Sequence, residues 1–113
     1  LQLGWNQTTT KDASKCYVLT PEVSGAITTI TITPDSANKT YSDRVFAALP
    51  VDFKYTGQSA DEVKAAAYAY SANTVQGSTD PLTIDLKGKN LKQVVIRAVG
   101  GACYVADIKV EFE

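Results

Sequence analysis

The end of the chain constrains its fold more than any other stretch. Between Cys103 and Phe112, residues Tyr104, Ala106, Ile108, Val110 and Phe112 fall on one face, and Val105, Asp107, Lys109 and Glu111 on the other. This period of two belongs to a strand with one buried and one wetted face. Leu82-Thr83-Ile84-Asp85-Leu86, the turn Lys87-Gly88-Lys89-Asn90, Leu91 to Val99 and the pair Gly100-Gly101 precede it. The chain is therefore expected to end as antiparallel β-structure, with a long hairpin over Leu91–Val99 and Tyr104–Phe112 forming part of a sandwich.

Upstream, short strands and turn signals alternate. Leu1 to Trp5 reads as a short strand and Asn6 to Ser14 as a polar loop. Lys15 to Thr20 reads as a strand that Pro21 ends or bends, with Tyr17 and Leu19 on one face and Cys16 and Val18 on the other. Ile27 to Thr33 is wholly β-branched, with Ile30 and Ile32 expected to face the core and Thr29, Thr31 and Thr33 to face outward. A Pro/Asp/Ser/Asn loop spans Pro34 to Ser42. Arg44 to Leu49 and Val51 to Tyr55 read as strands around Pro50. Ser59 followed by Glu62 fits a capping box, yet Ala66, Tyr68 and Tyr70 alternate as in a strand. One helical turn at Asp61–Lys64 followed by a strand, and a longer helix, both stay open. Eight to nine short strands with turns every 8 to 12 residues favour an all-β antiparallel sandwich or barrel.

A chain of 113 residues is expected to form a single domain, spanning 1–113, with 44% hydrophobic residues, 20% charged residues and a formal net charge of −1. No Lys/Arg stripe marks a nucleic-acid surface; Lys87, Lys89 and Lys92 gather at an expected hairpin end, where lysines keep edges soluble. No apolar run reaches membrane-spanning length. The chain contains no histidine, which removes the commonest general base and zinc ligand and excludes a Ser-His-Asp or Cys-His site built from this chain. The carboxylates Asp35, Asp43, Asp52, Asp61, Glu62, Asp80 and Asp85 are scattered, and no spacing selects an acid/base pair. An enzyme is not expected. The start at Leu1 suggests a piece of a longer precursor. Two N-x-[ST] sequons, at Asn6 and Asn38, are what a Thr-rich chain produces by chance, and are glycan acceptors only in a eukaryotic secreted protein.

Tyr17-Val18-Leu19-Thr20-Pro21-Glu22-Val23 followed by Ile27 to Ile32 resembles the opening of a group of jelly-roll domains, in which the second strand ends in Thr-Pro or Ser-Pro. Leu82 to Leu86 resembles their "x-I-D-L" strand, and Ala102 to Val110 resembles their closing "a-Y-I-D-D-I-x-V" strand. The group includes the cleaved-adhesin and choice-of-anchor jelly rolls and similar domains on surface lipoproteins of gut Bacteroidetes. The resemblance implies a jelly-roll sandwich of galactose-binding-like type. It also implies a non-catalytic, extracytoplasmic module, secreted or at the cell surface, that binds carbohydrate or mediates adhesion. The alternative is a structural or interaction domain supporting neighbouring modules; a glycan or a surface protein is the expected partner. Some relatives hold calcium near the closing strand. Here Asp107 is the candidate ligand, while position 106 carries Ala where the pattern has a first Asp.

If the second and last strands are neighbours, as in the resembled domains, Cys16 and Cys103 meet on outward faces. A bond between them would stabilise by roughly 4–5 kcal/mol in the chain-entropy model; two free thiols are the other reading. Tyr17, Tyr104 and Phe112 are expected in the core. Trp5, Tyr41, Arg44 and Tyr55 lie in or beside loops and are the candidate ligand-binding residues: aromatic planes for sugar C–H faces, and an arginine for hydroxyl oxygens.

Overall fold

The computed structural model describes residues 2–3, 17–35, 42–101 and 103–113. Trp5, Cys16, Tyr41 and both sequon asparagines lie outside them. The strands among the described residues are β1 (Gln2–Leu3), β2 (Val18–Leu19), β3 (Ile27–Pro34), β4 (Val45–Leu49), β5 (Ala69–Tyr70), β6 (Leu82–Asp85), β7 (Val95–Val99) and β8 (Cys103–Phe112). One helix, α1 (Ala60–Ala66), separates β4 from β5. The strands form two four-stranded sheets in the orders β1-β8-β3-β6 and β2-β7-β4-β5, and every pairing is antiparallel. The all-β antiparallel sandwich read from the sequence is the fold observed.

The core between the sheets explains the pairing. Ile27, Ile30, Ile32, Ile84 and Leu86 come from the first sheet or its ends, and Phe46, Ala48, Ile96 and Ala98 from the second; all are buried in one cluster. Ile30 and Ile32 face the core, as the alternation of Ile27 to Thr33 requires.

The expected C-terminal hairpin is not formed. β7 lies in the second sheet and β8 in the first, so Gly100-Gly101 carries the chain across the sandwich. Lys87 to Asn90 likewise leads from β6 in the first sheet toward β7 in the second. Glycine and polar residues mark reversals of either kind, so local turn chemistry does not distinguish a hairpin from a crossing. Residues 91–94, read as part of the strand, form this crossing. They pair with the crossing from β2 to β3: Val23 N donates to Lys92 O at 3.0 Å and Ile27 N to Leu91 O at 2.7 Å. Thr20 is the hinge of that pair. Its N–H donates to Val94 O at 3.0 Å, and its buried Oγ1 accepts from Val94 N at 3.0 Å. A hydroxyl there adds a partner for the ladder just before Pro21, which has no N–H to give.

Two facings read from the sequence are reversed. In β2, Leu19 is 50% exposed while Val18 packs on the core, and Tyr17 beside the strand is 44% exposed. In β8, Cys103 and Val105 are buried and Ala106 is exposed, whereas further along Ile108 and Val110 face inward. The partner register explains the switch: Thr33 pairs with Asp107 but Pro34 with Val105, so Ala106 is an extra residue, a β-bulge. A single inserted residue exchanges the two faces of a strand. Phe112, expected in the core, is 52% exposed at the strand end, and Tyr104 is half-buried. The premise for a Cys16–Cys103 contact also changes, because β2 and β8 belong to opposite sheets.

Val51 to Tyr55 does not form a strand. Phe53 and Tyr55 pack over the second sheet instead of pairing within it, while Val51 is exposed. Phe53, Tyr55 and Ala67 cover a second cluster of Val45, Ala47, Leu49, Val63, Val95 and Val99 on the outer face of β4 and β7. Both strands are thus buried on both faces, which is why Val45-Phe46-Ala47-Ala48-Leu49 reads as an unbroken apolar run. The helix closes this layer with Val63. Its capping box forms as the sequence indicates: Ser59 Oγ accepts from Glu62 N at 3.2 Å, and Glu62 Oε1 accepts from Ser59 N at 3.0 Å. The helix is longer than the single turn at Asp61–Lys64, and the strand β5 follows it. Among the described residues no helix is long and apolar enough to cross a membrane.

Candidate functional site

The segment between β4 and α1 builds the most featured surface. Phe53 N donates to Pro50 O at 2.9 Å, turning the chain back over the second sheet. Gln58 then fixes the loop from its side chain: Oε1 accepts from Thr56 N at 2.6 Å and Nε2 donates to Lys54 O at 3.0 Å. These bonds hold Phe53 and Tyr55, both half-buried, in place.

Two recesses meet at Tyr55. One is an open groove of ≈ 560 Å³ lined by Tyr17, Phe53 and Tyr55 together with Asp52, Lys54 and Thr56. The other is a cavity of ≈ 240 Å³ between the loop, the helix and the end of β7, lined by Tyr55, Gln58, Val63, Arg97, Gly100 and Gly101, among others. Arg97 is only 3% exposed and sits in β7 opposite Ala47. Its guanidinium carbon lies 4.6 Å from the centroid of the Tyr55 ring. A cation over an aromatic face in a desolvated place stabilises by about 2 kcal/mol. Tyr55 therefore has one side on a buried cation and also borders an open aromatic groove.

Of the residues expected to bind, Tyr55 is in this site. Arg44 is half-buried and lines neither recess. Its Nη1 donates to Ser42 O at 2.9 Å, and its guanidinium lies against Gly101. A Cβ at Gly101 would sit 2.7 Å from Arg44 Nε and Nη2, so any larger residue there must displace the Arg44 side chain and strain the backbone at φ 150°. Arg44 supports the cavity wall from behind. Trp5 and Tyr41 lie outside the described residues.

Tyr17, expected in the core, stands in the groove instead, because the facing of β2 is reversed. Phe53, Gln58 and Arg97 were not singled out from the sequence. Arg97 carries a legible signal: it is a charge inside the run Val94-Val95-Ile96-Arg97-Ala98-Val99, and buried charges are the informative exceptions in a strand.

Asp107 is exposed beside the bulge at Ala106. Calcium takes six to eight oxygen ligands, and among the described residues no group of three or more Asp, Glu, Cys or His side chains gathers that could hold a metal. Cys103 is a free, buried cysteine. Burial pushes its thiol pKa up, and the charge of Arg44 partly opposes that shift. Cys16 lies outside the described residues.

No family model, curated protein or solved structure matches this chain.

Proposed function

We propose that this chain is a non-catalytic, extracytoplasmic binding module of jelly-roll type, whose Tyr17–Phe53–Tyr55 groove takes a carbohydrate. The strand orders β1-β8-β3-β6 and β2-β7-β4-β5 support the jelly-roll reading: consecutive strands alternate between the sheets except at β4 and β5, the wrapped arrangement of two Greek keys.

The observation that carries the functional reading is the groove itself. Three aromatic side chains share an open trough with a carboxylate, an ammonium and a hydroxyl. Sugars present apolar C–H faces ringed by hydroxyls, and aromatic planes with neighbouring polar groups match both parts. The trough lies over strands β4 and β7, which are buried on both faces. The experiment is a glycan array followed by calorimetry on Tyr17→Ala and Tyr55→Ala. Binding lost in both variants supports the groove; silence across a broad array removes the carbohydrate reading.

The second reading, an interaction domain that supports neighbouring modules, draws on a different surface. Tyr68 and Tyr70 are 38% and 50% exposed at the edge strand β5. Tyrosines at a sheet edge suit a protein contact. Substitution of both by serine, with loss of association to an adjoining module of the same protein, would favour this reading.

A further inference from the structure

The four edge strands of the sandwich are not alike. Among the described residues β1, β2 and β5 are two residues long, whereas β6 is four. Short edge strands, bulges, prolines and lysines are the usual guards against pairing with another chain. β6 has none of them within Leu82–Asp85: it pairs with β3 residue for residue, and Pro81 and Lys87 only flank it. Leu86 N donates to Thr28 O at 2.9 Å, which fixes the alternation of the main chain. Ile84 and Leu86 direct their N–H groups at β3, and Thr83 and Asp85 direct theirs away from it. Both residues are exposed, and no described strand pairs on that side. Beside Leu82 the edge meets a recess of ≈ 160 Å³, lined by Pro34, Thr74, Val75, Ser78 and Asp80, among others. Asp80 is the one charged group among its described lining residues.

We infer that β6 is a docking edge for an extended peptide, which adds to the first sheet as a further strand and carries a lysine or arginine into the recess at Asp80. Main-chain bonds to Thr83 and Asp85 hold such a strand, and the recess beside the edge selects its side chain. Charge decides the occupant. An added strand lies along Asp80 to Asp85, a stretch with a carboxylate at each end and no Lys or Arg between. A second copy pairing through the same edge would bring two more carboxylates to these. Like charges on neighbouring strands are unfavourable and opposite charges favourable, so a basic peptide fits where a second copy does not. This edge is separate from the aromatic groove, which lies over the second sheet, and from the tyrosines at β5. It therefore stands or falls apart from both readings above.

The test uses the full chain and three synthetic peptides: alternating threonine and valine with one lysine, the same with glutamate for lysine, and the lysine peptide with every amide N-methylated. Amide exchange followed by NMR should be fast at Thr83 and Asp85 in the free chain. At a free lysine-peptide concentration of about ten times its dissociation constant, both amides should slow about tenfold. The N-methylated peptide should not bind. The lysine peptide should bind up to about fivefold tighter than the glutamate peptide, the most that one exposed ion pair supplies. Asp80→Lys, a change in an exposed loop, should reverse that preference. Thr83→Pro removes an outward N–H and no bond to β3, and should abolish the slowing at Asp85. Should that variant fail to fold, the N-methylated peptide decides the same point. Slowing that spares Thr83 and Asp85, or undiminished binding of the N-methylated peptide, would overturn strand addition. Equal affinity for the two charged peptides, or a preference that survives Asp80→Lys, would overturn the recess assignment. Binding of none of the peptides would overturn the inference outright. So would protection of both amides in the free chain, and protection that grows with protein concentration would give the edge to a second copy instead.

Discussion

The guanidinium carbon of Arg97 sits 4.6 Å from the centroid of the Tyr55 ring, one on a strand of the second sheet and the other on the loop that covers it. The contact joins the scaffold to the candidate site. It holds the ring that borders both recesses, and it keeps a charge under the loop.

Removing the ring should therefore affect binding and stability together. Tyr55→Ala deletes the cation–π contact and uncovers part of the outer cluster of β4 and β7. We expect a loss of about 2–4 kcal/mol in chemical denaturation, from the contact and the apolar area combined. Tyr55→Phe keeps the ring and should cost less than about 1 kcal/mol. Equal losses in the two variants would show that the hydroxyl, not the ring, carries the contact.

Phe46 is fully buried between the sheets. Phe46→Ala should cost about 3–5 kcal/mol, the range for truncating a large core aromatic. Tyr70, half exposed at the edge of the second sheet, should tolerate alanine far better. Thermal unfolding of both variants checks the contrast.

The close approach of Gly101 to Arg44 predicts coupling. Gly101→Ala must displace the Arg44 side chain and also strain a residue at φ 150°. We expect a loss of about 1–3 kcal/mol. In the double variant with Arg44→Ala, the side-chain part of that loss should disappear, giving a double-mutant coupling of about 0.5 kcal/mol or more. Strict additivity would contradict the contact.

The capping box sets a pH dependence with a definite sign. Hydrogen bonds from the Ser59 backbone and side chain hold the Glu62 carboxyl below its ordinary value of 4.5. A depressed carboxylate contributes stability above its unfolded pKa and loses it as the pH falls through the folded pKa. The helix start should therefore loosen in acid, below about 4.5. Ser59→Ala should cost about 1 kcal/mol at neutral pH and weaken that acid dependence. Amide exchange at the first helical turn, followed from neutral pH to acid, reads both.

Cys103 tests the free-thiol reading against a bond to Cys16. Its thiol pKa is raised by burial, so any stability from the neutral thiol is present below the unfolded pKa and lost as pH rises through the folded one. Alkylation mapped by mass spectrometry should leave Cys103 unmodified in the native protein and modify it on unfolding without reductant. A Cys103 that reacts only after reduction would establish a disulfide.

Several parts of the fold were legible because a local signal and the global arrangement agree. The alternation of Ile27 to Thr33, the Ser59–Glu62 cap and the bounds of the closing strand are of this kind. The facings of the closing strand were not, because the bulge at Ala106 has no glycine or proline within that strand; the proline opposite it, Pro34, lies on the partner strand β3. The sheet crossings at Lys87–Asn90 and Gly100–Gly101 share their turn chemistry with hairpins, and only long-range pairing separates the two. The site was half legible. Tyr55 was found as a loop aromatic, while Tyr17 was assigned to the core through the reversed facing of its strand. Arg97 was passed over inside an apolar run, where a charge is itself the signal.

The central claim is that the Tyr17–Phe53–Tyr55 groove binds carbohydrate, and an array of plant, microbial and host glycans probed with the wild-type chain and with Tyr17→Ala tests it most directly. Tyr17 lines the groove without being part of the buried core, so its loss should leave unfolding nearly unchanged. The account predicts a confined set of glycan signals from the wild type, reduced about tenfold or more in the variant, as for loss of an aromatic contact worth about 1.4 kcal/mol or more. Signals of equal strength from both proteins, or none from the wild type, would contradict it.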